Sequence, residues 1–322
     1  MSTRIIFFGT PEFASATLEA LVACPEIEVV AVVTASDKPA GRGLKMQASH
    51  VSETAERLNL SLLKAEKLQD PGFLSTLASF RADIFVVVAF RMLPQAVWGM
   101  PPFGTFNVHA SLLPDYRGAA PIQWAIANGE KQTGVTTFLL NERIDEGGIL
   151  LQEVLQIGEN EPISSVYQRL MIAGAGLAVR TIDGLFNQKL IAKSQIVSND
   201  LRSAPKIYQP FGQLDLLKTL DQVHDRIRAC DPFPGASFLL DEAINGRIKV
   251  FSSEKLNDCN TGDYALSIKL IISNNSVHLS QGEGVLNIHE IQWPGKRKMK
   301  AIDFLRGFRL RGEFTLSGLK SA

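Results

Sequence analysis

What most constrains this chain is a rhythm in its N-terminal half, where short runs of β-branched and apolar residues alternate with stretches of helical period. Parallel strands need crossover segments between them, so this alternation predicts a mostly parallel sheet wrapped by helices. The strand candidates are 4–9, 29–34, 61–64, 84–90, 105–109 and 135–140. Between the first two, Ala14, Leu18, Leu21 and Val22 recur at i, i+4, i+7 and i+8, one face of a helix opened by Pro11. Val166, Leu170, Ala173 and Leu177 repeat the pattern in a later helix near 163–187. The periodicity then loosens through a polar stretch to about Gln209. The expected division is a first domain over 1–187, a linker over 188–209 and a second domain over 210–322.

Beyond the linker the period changes. Residues 214–230 look helical, while 247–251, 264–272, 276–279 and 286–292 read as strands between Asn, Gly and Asp turns. A small β-barrel behind a helix is the expected result. From Pro294 onward, Lys296, Arg297, Lys298, Lys300, Arg306, Arg309, Arg311 and Lys320 face only Asp303 and Glu313, so this end reads as a cationic tail. The chain as a whole balances 33 basic against 33 acidic residues, and any nucleic-acid contact must use local patches.

Composition excludes several classes. A length of 322 residues suffices for two domains that bury cores without disulfides, and 45% hydrophobic with 20% charged residues is a globular balance. Cys24, Cys230 and Cys259 are odd in number and lack C-x-x-C spacing, against a disulfide framework and a zinc site. The opening apolar run, Ile5 to Phe8, is too short for a signal segment, and no stretch reaches the ~18 apolar residues of a membrane span. A soluble cytoplasmic protein, without membrane contact, is expected.

The residues that carry chemistry lie between Phe106 and Ile122 and just before Gly147. If Asn107 to His109 ends a strand, alternation puts Asn107 and His109 on one face and Val108 on the other. The carboxyl end of a strand in an open α/β sheet borders the crevice where ligands bind. An amide donor beside an imidazole there could hold a carbonyl oxygen as it becomes an oxyanion, which is equipment for acyl transfer. The next strand leads into Asn141-Glu142-Arg143-Ile144-Asp145-Glu146-Gly147-Gly148, whose glycines would let the backbone turn and present Asp145 to the same crevice.

The run Asn107-Val108-His109-Ala110-Ser111-Leu112-Leu113-Pro114, followed by Arg117-Gly118-Ala119-Ala120-Pro121-Ile122 and by Asp145, resembles the 10-formyltetrahydrofolate transferases and hydrolases. Phe8-Gly9-Thr10-Pro11-Glu12-Phe13-Ala14, Asp37-Lys38-Pro39-Ala40-Gly41-Arg42-Gly43 and the C-terminal half resemble the methionyl-tRNA formyltransferases among them. The match is dense to about residue 185 and thinner beyond, where Ala204-Pro205-Lys206-Ile207 and Arg228-Ala229-Cys230-Asp231-Pro232-Phe233-Pro234 still resemble the family. The resemblance implies a Rossmann-like formyltransferase domain and a C-terminal OB-like barrel. It implies a catalytic trio of Asn107, His109 and Asp145, and a folate-binding set of Val88, Ala89, Phe90, Met92, Leu93, Ser111, Leu112, Leu113, Pro114 and Ile144. It implies tRNA contacts by Lys38, Arg42, Lys45, Lys206, Lys296 and Lys298, with the C-terminal barrel lying along the acceptor stem. The implied partners are initiator methionyl-tRNA and 10-formyltetrahydrofolate, the latter a co-substrate; no permanent cofactor or metal is called for, and a bacterial monomer is expected. Two stretches depart from the family's common pattern: Arg143-Ile144 stands where Gly-Leu is frequent, and Phe90-Arg91-Met92 where Tyr-Gly-Leu is frequent.

Other readings weigh less. His50, His224, His278 and His289 have no partner pattern and read as surface or satisfied core groups. Gly9-Thr10-Pro11 is not G-x-G-x-x-G and reads as a tight turn rather than a nucleotide site. The rival functions keep the chemistry and change the acceptor: a sugar-nucleotide amine, glycinamide ribonucleotide or water. A non-catalytic RNA-binding module is the alternative from another class, and the intact trio weighs against it.

Overall fold

Strand β1 (Thr3–Gly9) is buried along almost its full length, with Ile5, Ile6, Phe7 and Phe8 all at zero exposure. A strand apolar on both faces belongs in the middle of a sheet covered on both sides. That is where β1 lies in the computed structural model, which describes residues 2–40, 45–64, 66–196, 198, 200–214, 219–240, 246–256 and 267–317. It pairs in parallel with β2 (Ile27–Thr34) on one side and later with a strand at Ile84–Val88 on the other. Between β1 and β2 runs α1 (Glu12–Val22), capped by an extended Pro11 and burying Ala14, Leu18 and Leu21.

A short antiparallel pair follows, β3 (Lys38–Ala40) with β4 (Lys45–Gln47), and then α2 (His50–Arg57), whose N-cap Ser49 accepts from Ser52 N–H. Next come β5 (Leu62–Lys64), α3 (Pro71–Ser79), β6 (Ile84–Val88), α4 (Gln95–Trp98) and β7 (Thr105–His109). Strands β5, β2, β1, β6 and β7 are all parallel neighbours. After α5 (Pro121–Ala127), β8 (Gln132–Leu139) runs antiparallel beside β7, and β9 (Ile149–Gln156) forms the sheet edge. Helix α6 (Ile163–Phe186) buries Val166, Leu170 and Leu177.

The second half is a closed barrel behind a helix. Helix α7 (Leu220–Cys230) begins at Thr219, which forms a reciprocal capping box with Gln222 and so starts later than periodicity alone suggests. The barrel strands are β10 (Ala236–Leu240), β11 (Ile248–Lys255), β12 (Lys269–Ile272), β13 (Val277–Gln281) and β14 (Gly284–Gln292), followed by a short β15 (Met299–Lys300), helix α8 (Ala301–Gly307) and β16 (Gly312–Ser317). The order β11-β10-β16-β12-β13-β14 closes through antiparallel pairing of β14 with β11, giving six strands with β15 appended. The segment from Pro294 to Ser317, short of Lys320, which lies outside the described residues, is therefore no tail. It buries Ala301, Phe304 and Leu305 in the barrel core, and β16 fills the place between β10 and β12.

Two compact units result. One comprises 1–118, 133–155 and 168–203; the other comprises 119–132, 156–167 and 204–322. Strands β3, β4, β9, β10, β15 and β16 lie outside the stretches that the sequence predicts as strands, and the strand sought at 264–272 is seen only as β12, since 257–266 lie outside the described residues. Among the described residues no helix is long and apolar enough to cross a membrane, and no group of three or more His, Cys, Asp or Glu side chains could hold a metal.

Candidate active site

Strand β7 carries Asn107 and His109 on one face because side chains alternate along an extended chain. Asn107 lies opposite Phe138 and His109 opposite Thr136 on β8. The imidazole is 6% exposed, and its Nε2 lies 2.9 Å from the Tyr116 carbonyl oxygen. A carbonyl only accepts, so Nε2 carries the hydrogen and the ring is fixed through it. That leaves Nδ1 free of this bond, with the Asp145 carboxylate 3.9 Å away. That separation is too long for a hydrogen bond.

Asp145 reaches this place through a strained turn. Its φ of +54° is in the left-handed region, which a side chain disfavours. Its carboxylate Oδ2 accepts from Gly118 N–H at 2.9 Å, linking the Arg117-Gly118 turn to the Asp145 turn. Two residues on, Gly147 passes so close to β8 that a Cβ there would stand 1.6 Å from the Leu139 carbonyl oxygen, so only glycine closes the loop. Tyr116, whose carbonyl fixes His109, is also left-handed at φ +60°, and its N–H donates to Arg202 O at 2.6 Å.

The segment 111–114 is pinned from behind. Thr136 Oγ1 donates to Ser111 O at 2.7 Å and accepts from Leu113 N–H at 3.1 Å, while Gln152 Nε2 donates to both Leu113 O and Thr136 Oγ1 at 2.9 Å. Ser111 Oγ donates to Asp115 O at 2.7 Å, and the Leu113–Pro114 bond is cis. The second stretch named for folate leaves the sheet at the end of β6. Val88 is fully buried and Ala89 turns the chain at φ +47°, which ends the strand before Phe90. Phe90 packs edge-on against Phe8 at 5.9 Å, with the Arg91 guanidinium carbon 5.8 Å from the Phe90 ring centre. Leu93 returns to the core, whereas Met92 and Ile144 stand 73% and 66% exposed.

A formyl transferase family model matches residues 3–182, and a formyl transferase C-terminal domain model matches 206–309. The methionyl-tRNA formyltransferase of Bacteroides thetaiotaomicron is 40% identical over 321 residues, covering 98% of each chain; that of Azobacteroides pseudotrichonymphae is 42% identical over 313 residues, covering 94% of this chain and 95% of its own. The chain belongs to the methionyl-tRNA formyltransferase family. Solved structures share the fold of this formyltransferase chain at low identity. WlaRD, a sugar 3N-formyl transferase crystallised with dTDP and 5-N-formyl-THF, gives a TM-score of 0.64 at 18% identity over 92% of this chain and all of its own. HypX from Aquifex aeolicus in complex with tetrahydrofolic acid gives 0.60 at 18% identity over 98% of this chain and 51% of its own.

The cations named for tRNA fall in different circumstances. Arg42 lies outside the described residues, and for Lys38 and Lys45 only the backbone is described, in the β3–β4 pair. Lys206 is exposed, its ammonium 5.7 Å from the Tyr208 ring centre, and Lys296 is exposed on the turn after β14. Lys298 is held by Glu290 at 2.8 Å and Asp231 at 3.5 Å over the Phe251 ring. Sequence reading gave no role to Gln152 or Gln195, which no short motif marks, and none to Arg117 within its family-like run, because their roles depend on contacts between segments 39 to 78 positions apart.

Proposed function

We propose that this chain transfers the formyl group of 10-formyltetrahydrofolate to the α-amine of methionine on initiator tRNA. The observation that carries the reading is that Asn107 and His109 share one face at the carboxyl end of β7 with Asp145 3.9 Å from His109, in a chain 40% identical over 98% of its length to a methionyl-tRNA formyltransferase. In this reading the neutral amine of the methionyl ester attacks the formyl carbon on N10. The carbonyl oxygen becomes an oxyanion, stabilised by the Asn107 amide and by protonated His109, which donates to it through Nδ1. Collapse breaks the carbon–N10 bond, and the proton lost by the amine passes to N10, with Asp145 holding the charge of His109 as it moves. The products are N-formylmethionyl-tRNA and tetrahydrofolate. Since the donor carries an activated formyl group, no resident cofactor enters the scheme.

The folate is assigned to the stretch from Val88 to Leu93, to Ser111 through Pro114 and to Ile144. Exposure of Met92 and Ile144 supports this, since two large apolar side chains that face water are available to cover a flat ring. The acceptor RNA is assigned to the loop bearing Lys38, Arg42 and Lys45, and to Lys206 and Lys296. Lys298 contributes less, because two carboxylates already match its charge. The boundaries at 187 and 209, a monomeric state and a cytoplasmic location complete the proposal.

The test is a formylation assay with 10-formyltetrahydrofolate, offering charged initiator tRNA, charged elongator methionine tRNA and amino-sugar nucleotides in parallel. Transfer to initiator methionyl-tRNA, slowed by ~10²- to 10⁴-fold in Asp145→Ala, is expected. Transfer to a sugar amine alone would keep the chemistry and replace the acceptor.

A further inference from the structure

The stretch between α6 and the barrel reads as a linker, yet its first part is tied into the catalytic unit by backbone pairing at two points. Ile149 pairs with Lys193 through two 2.8 Å hydrogen bonds, and Arg117 forms a parallel bridge with Ser203. Between these points lies Gln195, a half-buried residue with no charge and no motif. Its amide nitrogen donates to the backbone carbonyl oxygens of Asp145 at 2.9 Å and Gly147 at 2.8 Å. Its amide oxygen accepts from Arg117 Nε at 3.1 Å and Nη2 at 2.6 Å. The third nitrogen of that guanidinium, Nη1, meets Glu146 Oε1 at 3.2 Å.

The partners fix which end of the amide is which. Arginine only donates and a carbonyl only accepts, so Oε1 must face Arg117 and Nε2 must face the turn. Each end of the Gln195 amide therefore makes two hydrogen bonds, and both of its N–H groups go to carbonyls flanking one strained turn. That turn carries the left-handed Asp145, whose backbone conformation is unfavourable unless the surroundings hold it. Arg117 in turn grips the clamp and the neighbouring Glu146, and its successor Gly118 supplies the N–H that binds the Asp145 carboxylate.

We propose that Gln195 is a positioning residue for formyl transfer, holding the Asp145 turn at its distance from His109, with Arg117 locking Gln195 in orientation. The inference rests on the reading of Asp145 as the group that works with His109. It makes a definite demand: the donors of Gln195 matter, and they matter only through Asp145.

The experiment is steady-state and single-turnover formylation of methionyl-tRNA by the full chain, comparing Gln195→Ala, Gln195→Glu, Asp145→Ala and the double variant Asp145→Ala/Gln195→Ala. Gln195→Glu keeps the size and the Arg117 acceptor but loses both donors, so it tests the clamp even if the alanine variant folds poorly. Because displacing a catalytic group by about 1 Å can cost ~10²-fold, Gln195→Ala and Gln195→Glu are each expected to lower kcat roughly 10- to 100-fold, with KM for either substrate changed less than about threefold. The double variant should be no more than about twofold slower than Asp145→Ala alone, since the two act as one unit. A wild-type kcat in Gln195→Glu, a change confined to KM, or a Gln195 loss that multiplies onto Asp145→Ala would each overturn the clamp while Asp145→Ala remained slow. A wild-type kcat in Asp145→Ala would overturn the reading of Asp145 itself, and the clamp with it.

Discussion

Two buried histidines, one in each compact unit, differ in a way that separates chemistry from architecture. His109, on β7, is 6% exposed; one ring nitrogen is fixed by Tyr116 O at 2.9 Å, and the other faces a carboxylate 3.9 Å away. His224, on α7, has no exposure, and both its nitrogens are closed: Nε2 on Glu159 O at 3.1 Å and Nδ1 on Ser253 Oγ at 2.9 Å. Burial, aided by the neighbouring Arg228 charge, pushes His224 down to about 3, so it stays neutral throughout the ordinary range. Beside it Arg228 pairs with Asp225 and donates to the carbonyls of Gly158 and Glu161 at 3.0 Å. A closed network holds a fold together, whereas an open nitrogen near a charge leaves room for a proton and an oxyanion. Burial alone does not distinguish the two residues; the unfilled partner does.

The sharpest way to break that comparison is to exchange the consequences. Asp145→Ala and His109→Ala should each lower kcat by ~10²- to 10⁴-fold, the range for a positioned proton transfer or an oxyanion donor, with little change in thermal unfolding. His224→Ala should do the reverse, costing roughly 1 to 3 kcal/mol of stability with kcat within about threefold of wild type. Denaturant unfolding and initial-rate formylation on the same preparations decide this. A His224→Ala protein that is stable and catalytically dead would erase the distinction drawn here.

Gly147→Ala comes next in size. Its new methyl would meet Leu139 O at 1.6 Å, so the turn must shift and carry Asp145 with it. A fall in kcat of roughly 10- to 100-fold, with some loss of melting temperature, is expected from a displacement of about 1 Å. Gly148→Ala, where the new atom faces the Ala192 methyl at 2.9 Å rather than backbone at 1.6 Å, should be milder. Equal rates for both variants would mean that the Asp145 turn is not held by its approach to β8.

How much of this was legible beforehand differs between the units for a physical reason. In the first unit the signals are local: β1 is apolar on both faces, α1 repeats its buried residues at helical spacing, and Asn107 and His109 share a face through simple alternation. The 145–148 glycine pair announces a turn. What sequence could not reveal is which residues reach that turn from elsewhere, since Gln195 lies 50 positions from Asp145 and carries no charge or pattern. In the barrel the signals are weaker. Strand β10 is short and follows a Pro-rich turn, and β16 sits within a stretch whose Arg and Lys residues suggest a solvated tail. Its membership in the barrel follows from pairing with β10 and β12, contacts at separations of about 40 to 80 residues. Edge-to-edge closure of that kind leaves no local trace.

A smaller effect tests the closed network by pH. Because an unfolded chain protonates His224 near 6.5 and the folded chain only at about 3, the unfolded state binds the extra proton throughout that window. Stability due to this group is therefore full above about pH 6.5 and falls as the pH drops, by ~1.4 kcal/mol per unit. The gap in unfolding free energy between wild type and His224→Gln should shrink by about 2 kcal/mol from pH 7 to pH 5, since glutamine cannot take the proton. A constant gap would show that His224 is not held neutral by its surroundings.

The smallest expected effect lies at the end of the barrel, where the same open-or-closed distinction applies to cations. Lys296 and Lys298 are both exposed, but Lys298 sits between Glu290 and Asp231. Burial works against the Lys298 ammonium, but the Glu290 hydrogen bond and the Asp231 charge outweigh it and raise its pKa above the ordinary value. A phosphate can recruit Lys296 directly, but it must displace two carboxylates to recruit Lys298. Each lysine that meets a phosphate adds about one unit to the slope of log affinity against log salt. Lys296→Ala should therefore weaken binding of methionyl-tRNA and flatten that slope by up to about one unit, while Lys298→Ala should leave the slope within about 0.3 of wild type. If the order is reversed, RNA opens the Lys298 pair on binding, and a closed cluster in the resting protein would then be part of the recognition surface.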